Sequence, residues 1–534
     1  MSSTPPRGYV AIVLHAHLPY VRHPEHPRSL EERWLFEAIG ETYLPLLDVL
    51  DRLAADGIPA NLTLSVSPPL AAMLRDPWLG ARFAEHLGRL TALAARVEAR
   101  CAEGPFAPAA AFYRERLAEV RAAWERRGGD VLGALVRHAA AGHLELCTTA
   151  ASHAFLPGLL PAPGSIRAQL RLGRRAFAAL SGVPPPAGFW LPECGFDPRL
   201  DAELAAAGVR YTVVDAHALA EAPAISPAGV VYFARDPVSV REVWSRDVGY
   251  PGHPAYREFY RDAGFEMPED VLEDEIGPEG IRLMTGLKLH RVTGPGPDKA
   301  PYDPAAAARQ ARADADAFVA RRQAHLAGAG GASGTGGRAP ILVAAYDAEL
   351  FGHWWLEGPE FLECAIRGLF EAARAGSAAP ITLGAYLDRH GPAVAAQPAA
   401  STWGEGGWGA AWIGPRTARL WRHVHHADRQ VQAALARSRG QGGGAGRALD
   451  QAIRELVLLE ASDWAFMMDR GEMVAYAETR VRAHAERVRR LTELYRGGPR
   501  DAAASAWLEG VCAQDRFLSE LSGDAIQDAF DPWT

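Results

Sequence analysis

Short apolar runs recur along the first 390 residues and are separated by stretches with helical periodicity. The runs predict buried strands at residues 9–14, 61–66, 143–147, 188–191, 209–214, 341–345 and 381–383. Helical spacing of apolar positions predicts helices at residues 30–56, 166–180, 201–207, 303–327 and 359–374. Because strands alternate with helices, the pattern predicts a parallel sheet, either closed into a barrel or doubly wound.

Three regions depart from this alternation. Residues 77–140 are rich in Ala, Leu and Arg and are too long for one crossover, so we predict a helical insertion there. Residues 216–300 are rich in Pro, Gly, Tyr and charge, and a long loop in a compact domain favours a functional lid. Beyond residue 390 a loop rich in Gly and Trp leads into a helical remainder. We therefore expect an α/β domain at residues 1–390 and a helical domain at residues 391–534.

The composition is that of a soluble globular protein, with 534 residues of which 48% are hydrophobic and 22% charged. The net charge of −8 argues against a nucleic-acid partner, since such proteins carry a basic excess. No apolar stretch is long enough to span a bilayer, and the apolar run near the N-terminus is too short for a signal peptide. The five cysteines are scattered without a C-x-x-C motif, which predicts reduced thiols and a cytoplasmic location.

Polar side chains follow the predicted strands at the points where the strands end. In a parallel barrel the carboxyl ends of the strands meet at one mouth, which is where such barrels hold their chemistry. We therefore expect these side chains to lie close together. They are His15, His17, His153, Glu193, Asp215 and Asp347.

Glu193 and Asp347 are the candidate catalytic pair. Each follows an apolar strand and has aromatic neighbours. Cleaving a glycosidic bond with retention requires two carboxyl groups about 5–5.5 Å apart, one ionised for attack and one protonated for the leaving oxygen. The alternative is that both are ordinary ion-paired acids at the starts of loops.

His15 and His17 form an H-x-H pair that offers a second interpretation. Such a pair at the end of a barrel strand can hold a divalent metal, with Asp347 as a later ligand. The middle strands offer Glu193 and Asp215 rather than further histidines, which weakens this hypothesis of a metal-dependent hydrolase. As neutral donors, both histidines could instead hold sugar hydroxyls.

Three tryptophans alternate with glycines in the segment that follows the last predicted strand. Trp403, Trp408 and Trp412 could line a groove, because a flat ring can cover the C–H face of a sugar. The alternative is that they fill a domain interface.

The motifs taken together resemble glycoside hydrolase family 57, most closely its 1,4-α-glucan branching enzymes. The resemblance covers nearly the whole chain. It is carried by five ordered segments, which are His15–Pro19, Gly142–Leu146, Trp190–Phe196, Ala345–Trp355 and Ser462–Trp464.

This resemblance implies a (β/α)7 barrel with a helical insertion and a C-terminal all-helical domain. It implies Glu193 as nucleophile and Asp347 as general acid/base, with no metal and no organic cofactor. Positions that match substrate-binding residues of the family are His15, His17, His153, Arg257, Trp403, Trp412, Asp463 and Glu472. The family usually has Gln where Glu472 stands, and it carries a tyrosine on a flexible loop for which Tyr232 and Tyr250 are both candidates.

The implied reaction is transglycosylation. The enzyme would cleave an α-1,4 linkage through a covalent glycosyl ester and transfer the segment to a 6-hydroxyl of an α-glucan such as amylose, amylopectin or a glycogen-like polymer. Transfer to water or to a 4-hydroxyl would instead make it an α-amylase or a 4-α-glucanotransferase. A glycan-binding protein without activity is a third class, and the presence of both Glu193 and Asp347 speaks against it.

Overall fold

A computed structural model describes residues 5–533 except 246–247, 278–279, 295, 297, 330–337, 393, 441–445 and 499–500. Its strands are β1 Tyr9–Ala16, β2 Leu62–Val66, β3 Leu144–Thr149, β4 Phe189–Trp190, β5 Tyr211–Val214, β6 Ala224–Ile225, β7 Val231–Ala234, β8 Ile341–Asp347, β9 Ala379–Pro380 and β10 Val394–Ala395. None of the helices in these ranges is long and apolar enough to cross a membrane.

Helices surround the strands and make up most of the C-terminal part. The first half contains α1 Leu30–Glu37, α2 Leu44–Ala55, α3 Pro68–Arg75, α4 Pro77–Cys101, α5 Ala107–Arg126, α6 Val131–Ala140, α7 Pro163–Ser181, α8 Asp201–Ala206, α9 Pro237–Trp244, α10 Ala263–Glu266 and α11 Glu269–Leu272. The second half contains α12 Pro304–Ala329, α13 Gly358–Arg374, α14 Leu383–His390, α15 Ala418–Gly440, α16 Arg447–Leu459, α17 Ser462–Arg470, α18 Val474–Gly497, α19 Ala502–Gln514 and α20 Gly523–Gln527.

Seven of the described strands form the barrel. One sheet runs in the order β4-β3-β2-β1-β8 with parallel pairing, and a second sheet pairs β5 with β7 in parallel. A parallel bridge between Gly188 and Tyr211 joins β4 to β5. A hydrogen bond of 2.8 Å from the Asp236 N–H to the Val343 carbonyl joins the β7 side to β8. The expected (β/α)7 barrel is thereby confirmed.

The identity of the seventh strand differs from the sequence prediction. Residues 381–383 are not a strand, because Thr382 caps α14 by accepting a hydrogen bond from the Ala385 N–H. The missing strand is β7, which lies inside the region at 216–300 that we predicted as lid-like loop. That region also contains α9 to α11, so part of it is regular structure. Flanking prolines and glycines hid the four apolar residues of β7.

A π-helix interrupts the helical segment that follows β1. Residues Ala38–Tyr43 form it between α1 and α2. Such wide turns often occur at functional sites because they shift side chains out of the regular helical register. Here the π-helix presents Glu41 and Tyr43 to the loop that follows β8, where they bond His353 and Glu349.

Short backbone bridges join the C-terminal part to the barrel loops. Antiparallel bridges pair Ala154 with Ala461 and Phe196 with Ser401. In addition, the Ser462 N–H donates to a barrel-loop carbonyl, that of His153, at 3.2 Å. The start of α17 is therefore fixed to the loop after β3.

Gly352 lies where the backbone of the β8 loop approaches the π-helix. Its φ is +122°, and a Cβ built there would lie 1.9 Å from the Glu41 carbonyl oxygen. We expect Gly352→Ala to lower the free energy of unfolding by about 1–3 kcal/mol more than a control, since the backbone must move. The control is Gly471→Ala, with φ +74° and open space, where only backbone strain of roughly 1–2 kcal/mol applies. Thermal unfolding measures the stability of both variants, and equal unfolding midpoints for Gly352→Ala and Gly471→Ala would contradict the expectation.

Candidate active site

The inward-facing positions of two neighbouring strands end in chemically active side chains. The barrel interior contains Tyr9, Ala11 and Val13 of β1 and Val343 and Ala345 of β8. Since successive side chains of a strand alternate between faces, His15 and Asp347 occupy the next inward positions. The register of the two strands pairs His15 with Asp347.

Glu193 follows β4 in a backbone conformation that residues other than glycine rarely adopt. Its φ and ψ are 61° and 20°, and Cys194 also has a positive φ of 49°. Two hydrogen bonds from Trp403 fix this turn. Its indole N–H donates to Glu193 Oε2 at 2.8 Å, and its backbone N–H donates to the Glu193 carbonyl at 3.0 Å. The Ser462 hydroxyl donates to Glu193 Oε1 at 2.7 Å. Strain at such a residue persists only where the surroundings fix it, as they do here.

A chain of hydrogen bonds leads into Glu193 from the barrel. An ionised carboxylate only accepts, so Ser462 donates to it and must accept from His153 Nδ1 at 2.9 Å. His153 Nε2 then accepts from His15 Nε2 at 2.9 Å, and His15 Nδ1 accepts from the Ser65 hydroxyl at 3.2 Å. Burial lowers the pKa of both histidines well below the usual value, so both are neutral as this arrangement requires.

The two candidate catalytic carboxyls have raised pKa values. Burial raises the pKa of Glu193 to about 7, against the hydrogen bonds from Ser462 and Trp403, which lower it. Burial also raises the pKa of Asp347 to about 6, against the lowering charge of Arg235. These two values alone would ionise Asp347 first. The two hydrogen bonds lower the pKa of Glu193 towards that of Asp347, whose carboxylate accepts no hydrogen bond from the described residues.

Asp347 is close enough to a cation, Arg235, and to a third carboxyl group, Glu349, for their charges to interact. Arg235 pairs with Asp215 at 3.2 Å, which brings another of the predicted mouth residues to the site. Glu349 accepts hydrogen bonds from the Tyr43 hydroxyl and, at 3.2 Å, from a backbone N–H of the loop after β1. Burial, with a smaller contribution from the charge of Asp347, raises the pKa of Glu349 to about 7.

His17 and Asp463 form a pair across the mouth. His17 Nε2 lies 3.2 Å from Asp463 Oδ2, and its Nδ1 lies 2.8 Å from Ser67 Oγ. Burial alone would lower the pKa of His17, but the charge and hydrogen bond of Asp463 raise it. The imidazole also stacks on that of His153, with centroids 3.9 Å apart. Two predicted substrate positions from distant parts of the chain are thus in contact.

The three tryptophans of the Gly-rich loop occupy different environments. Trp403 bonds Glu193 and carries the Arg235 guanidinium 5.0 Å from its ring centroid. Trp408 is 74% exposed beside His217. Trp412 is only 1% exposed and stacks on a barrel-loop phenylalanine. Trp412 therefore lies beneath the surface of the loop rather than on it.

Four further predicted positions lie away from the two carboxyls. Arg257 is buried and donates through Nη2 to the His353 carbonyl at 2.6 Å. Glu472 is exposed in the turn between α17 and α18. Tyr232 is a buried β7 residue whose hydroxyl donates to Asp201, so it is not on a flexible loop. The ring of Tyr250 packs against that of Phe361.

Sequence reasoning missed several side chains that organise the site. Ser462 is only one residue of the segment that carries the family resemblance, Glu349 stands two residues after Asp347, and Arg235 directly follows β7. Glu349 offered a signal, because a second acid at that spacing follows the same strand end. Arg235 offered none, since β7 itself was not recognised.

Comparison with known proteins identifies relatives of this architecture. Residues 11–269 match the family model "Glycosyl hydrolase family 57", and residues 423–524 match "1,4-alpha-glucan branching enzyme, C-terminal". A 1,4-alpha-glucan branching enzyme of Thermococcus kodakarensis is 32% identical over 91% of this chain and 73% of its own length. An α-amylase structure from Thermotoga maritima has a TM-score of 0.86 at 35% identity, covering 98% of this chain and 99% of that one. A branching enzyme structure from Pyrococcus horikoshii has a TM-score of 0.84 at 29% identity, covering 97% of each.

Removal of the Ser462 hydroxyl tests the hydrogen-bond chain. Ser462→Ala deletes a donor that stabilises ionised Glu193, so the pKa of Glu193 rises and activity is lost at a higher pH on the acid side. A hydrogen bond to a charged group corresponds to a shift of about one to two pH units in the acid limb of kcat/KM. The pH profile with an α-glucan measures it.

Two comparisons separate this effect from general damage. Ser462→Thr keeps a hydroxyl and should restore the profile in large part. Ser67→Ala removes a similar serine that bonds His17 and caps α3, and it should lower stability without moving the limb. An unchanged acid limb of the pH profile in Ser462→Ala would contradict the proposed role of the hydrogen-bond chain.

Proposed function

Because the chain belongs to glycoside hydrolase family 57, we propose that it is a retaining 1,4-α-glucan branching enzyme. Glu193 attacks the anomeric carbon of an α-1,4-linked chain while Asp347 delivers a proton to the leaving oxygen. The cleaved segment stays on Glu193 as a glycosyl ester. Asp347, now ionised, takes the proton of an acceptor 6-hydroxyl, which attacks the ester and leaves an α-1,6 branch.

The contacts of the two carboxyls support these roles. Ser462 and Trp403 stabilise negative charge on Glu193, which is the form that attacks. Burial keeps Asp347 protonated to a higher pH than usual, as a general acid requires. Once Glu193 is esterified its charge is gone, so the pKa of Asp347 falls and it becomes a base.

The match of residues 423–524 to the C-terminal model of branching enzymes carries the choice of transfer over hydrolysis. The α-amylase of Thermotoga maritima favours a second candidate, since it shares this fold over almost the whole chain. Both reactions use the same pair of carboxyls and differ in whether water or a sugar accepts the segment. Exclusion of water and an acceptor groove decide between them.

We propose that the substrate groove lies between the barrel and the C-terminal helices. In this proposal residues 1–390 form the catalytic domain, with the helical insertion at 77–140, and residues 391–534 form the helical domain. His15, His17, His153, Trp403 and Asp463 surround the bond to be cleaved, and Trp412 supports the wall from below. Amylose, amylopectin or a glycogen-like polymer is the substrate. The five separate thiols favour a cytoplasmic location.

The linkage formed from amylose tests the proposed reaction. We expect new α-1,6 signals in the proton NMR spectrum with few new reducing ends in the same sample, because the segment passes to a sugar rather than to water. Rising reducing ends without α-1,6 signal would make the enzyme a hydrolase. Loss of α-1,4 signal with neither change would indicate transfer to 4-hydroxyls.

Glu193→Gln and Asp347→Asn are the matched controls for that assay. Each keeps the size of the side chain and removes its charge chemistry, so we expect turnover to fall by at least about a thousandfold, corresponding to roughly 4 kcal/mol in the barrier. Binding of amylose should persist in Glu193→Gln. Turnover close to that of the parent in either variant would contradict the assignment of the pair.

The metal-dependent alternative makes a separate prediction. Ligand atoms of His17, His153 and Asp463 lie within 4.8 Å of one another, a combination different from His15, His17 and Asp347 of the sequence hypothesis. Both ring nitrogens of His153 already have hydrogen-bond partners. We therefore expect full activity after dialysis against EDTA, with elemental analysis reporting well under one equivalent of metal. Activity lost to EDTA and restored by one equivalent of a divalent cation would reverse this conclusion.

A further inference from the structure

An exposed aromatic cluster lies on the loop that follows the catalytic strand β8. Trp354 is 49% exposed and stacks on Phe259, with centroids 4.5 Å apart and an interplanar angle of 29°. Tyr260, which is 62% exposed, meets the edge of Phe259 at 5.4 Å. We call Phe259, Tyr260 and Trp354 the aromatic platform. Neither the mechanism nor the family resemblance assigns it a role.

Two cations lie over the Phe259 ring of the aromatic platform. Lys288 Nζ lies 4.5 Å from the Phe259 centroid, and the Arg257 guanidinium lies 5.5 Å from it. Arg257 also donates to the His353 carbonyl next to Trp354. Lys288 is itself fixed by Asp262 at 3.4 Å. A ring fixed in this way loses little conformational freedom when a ligand stacks on it.

The aromatic platform is continuous with the active site. Trp354 donates its backbone N–H to the Glu349 carbonyl at 3.2 Å, and the Glu349 carboxylate bonds the loop that carries His17. Asp347 precedes Trp354 by seven residues on the same segment. The tryptophans of the 401–412 loop approach the site from the C-terminal part. The aromatic platform therefore lies next to the segment that carries Asp347, whereas Trp403 reaches the site from beyond residue 400.

We propose that the aromatic platform is a binding subsite for an α-1,4-glucan chain, several sugar units from the bond that is cleaved. The half-exposed ring of Trp354 stacks on the C–H face of a glucosyl unit, and Arg257 acts as a positioning residue beneath it. A protein partner fits less well, because two half-exposed rings offer far less than the roughly 800 Å² per partner of a stable protein interface. This inference rests on the proposed function and adds a specific place for the glucan.

Binding measurements on the full chain test the subsite. In a Glu193→Gln background, which stops turnover, titration calorimetry compares maltotriose with maltoheptaose. We expect Trp354→Ala to weaken maltoheptaose binding about threefold to tenfold and to leave maltotriose unchanged, since only the longer chain reaches the aromatic platform. In the active enzyme, the same change should raise KM for amylose with kcat within about twofold. Trp354→Phe should restore part of the affinity.

Trp507→Ala is the matched control, because Trp507 lies on α19, stacked with Arg490 and far along the chain from the site. Trp507→Ala should leave the affinity for both ligands unchanged. Equal effects of Trp354→Ala on both ligands, or no effect on either, would overturn the subsite. Sedimentation showing self-association that depends on Trp354, with glucan affinity unchanged, would also overturn it. Failure of both ligands to bind the Glu193→Gln parent would count instead against the proposed function.

Discussion

The hydrogen bonds that Trp403 and Ser462 donate to Glu193 are the interaction on which the site depends. Glu193 is buried and its backbone is in the left-handed region, so an ionised carboxylate there requires compensation. Both donors come from residues beyond 400. The barrel supplies the carboxylate and the C-terminal part supplies two donors that favour its charged form, so the proposed site requires both parts.

Side chains alternate between the two faces of a strand, and this alternation determines which residues of β1 and β8 face the barrel interior. Inward positions of β1 and β8 carry apolar side chains through the interior and end in His15 and Asp347 at the mouth. The register between these strands places His15 next to Asp347. From His15 the hydrogen-bond chain passes through His153 to Ser462, which donates to Glu193. The strand that positions His15 is therefore linked to the protonation of Glu193.

The sequence predicted the strands whose apolar runs are long and isolated, and the two carboxylates that follow them. It missed β7 because four apolar residues lie among prolines and glycines, and it therefore missed Arg235 at its end. Ser462 lies 269 residues from Glu193, a separation at which no local pattern indicates contact. For Trp412 the sequence left open a groove wall or a domain interface, and the structure shows a buried ring packed on Phe155.

In the proposed reaction Glu193 becomes the covalent nucleophile while Asp347 serves as acid and then base. Mass spectrometry of the enzyme treated with a 5-fluoro-α-glucosyl fluoride would detect the glycosyl ester, because that reagent slows its hydrolysis. We expect one glycosyl unit per chain, located after proteolysis on the peptide that contains Glu193 and absent in Glu193→Gln. A label on another carboxylate, or label retained in Glu193→Gln, would contradict it.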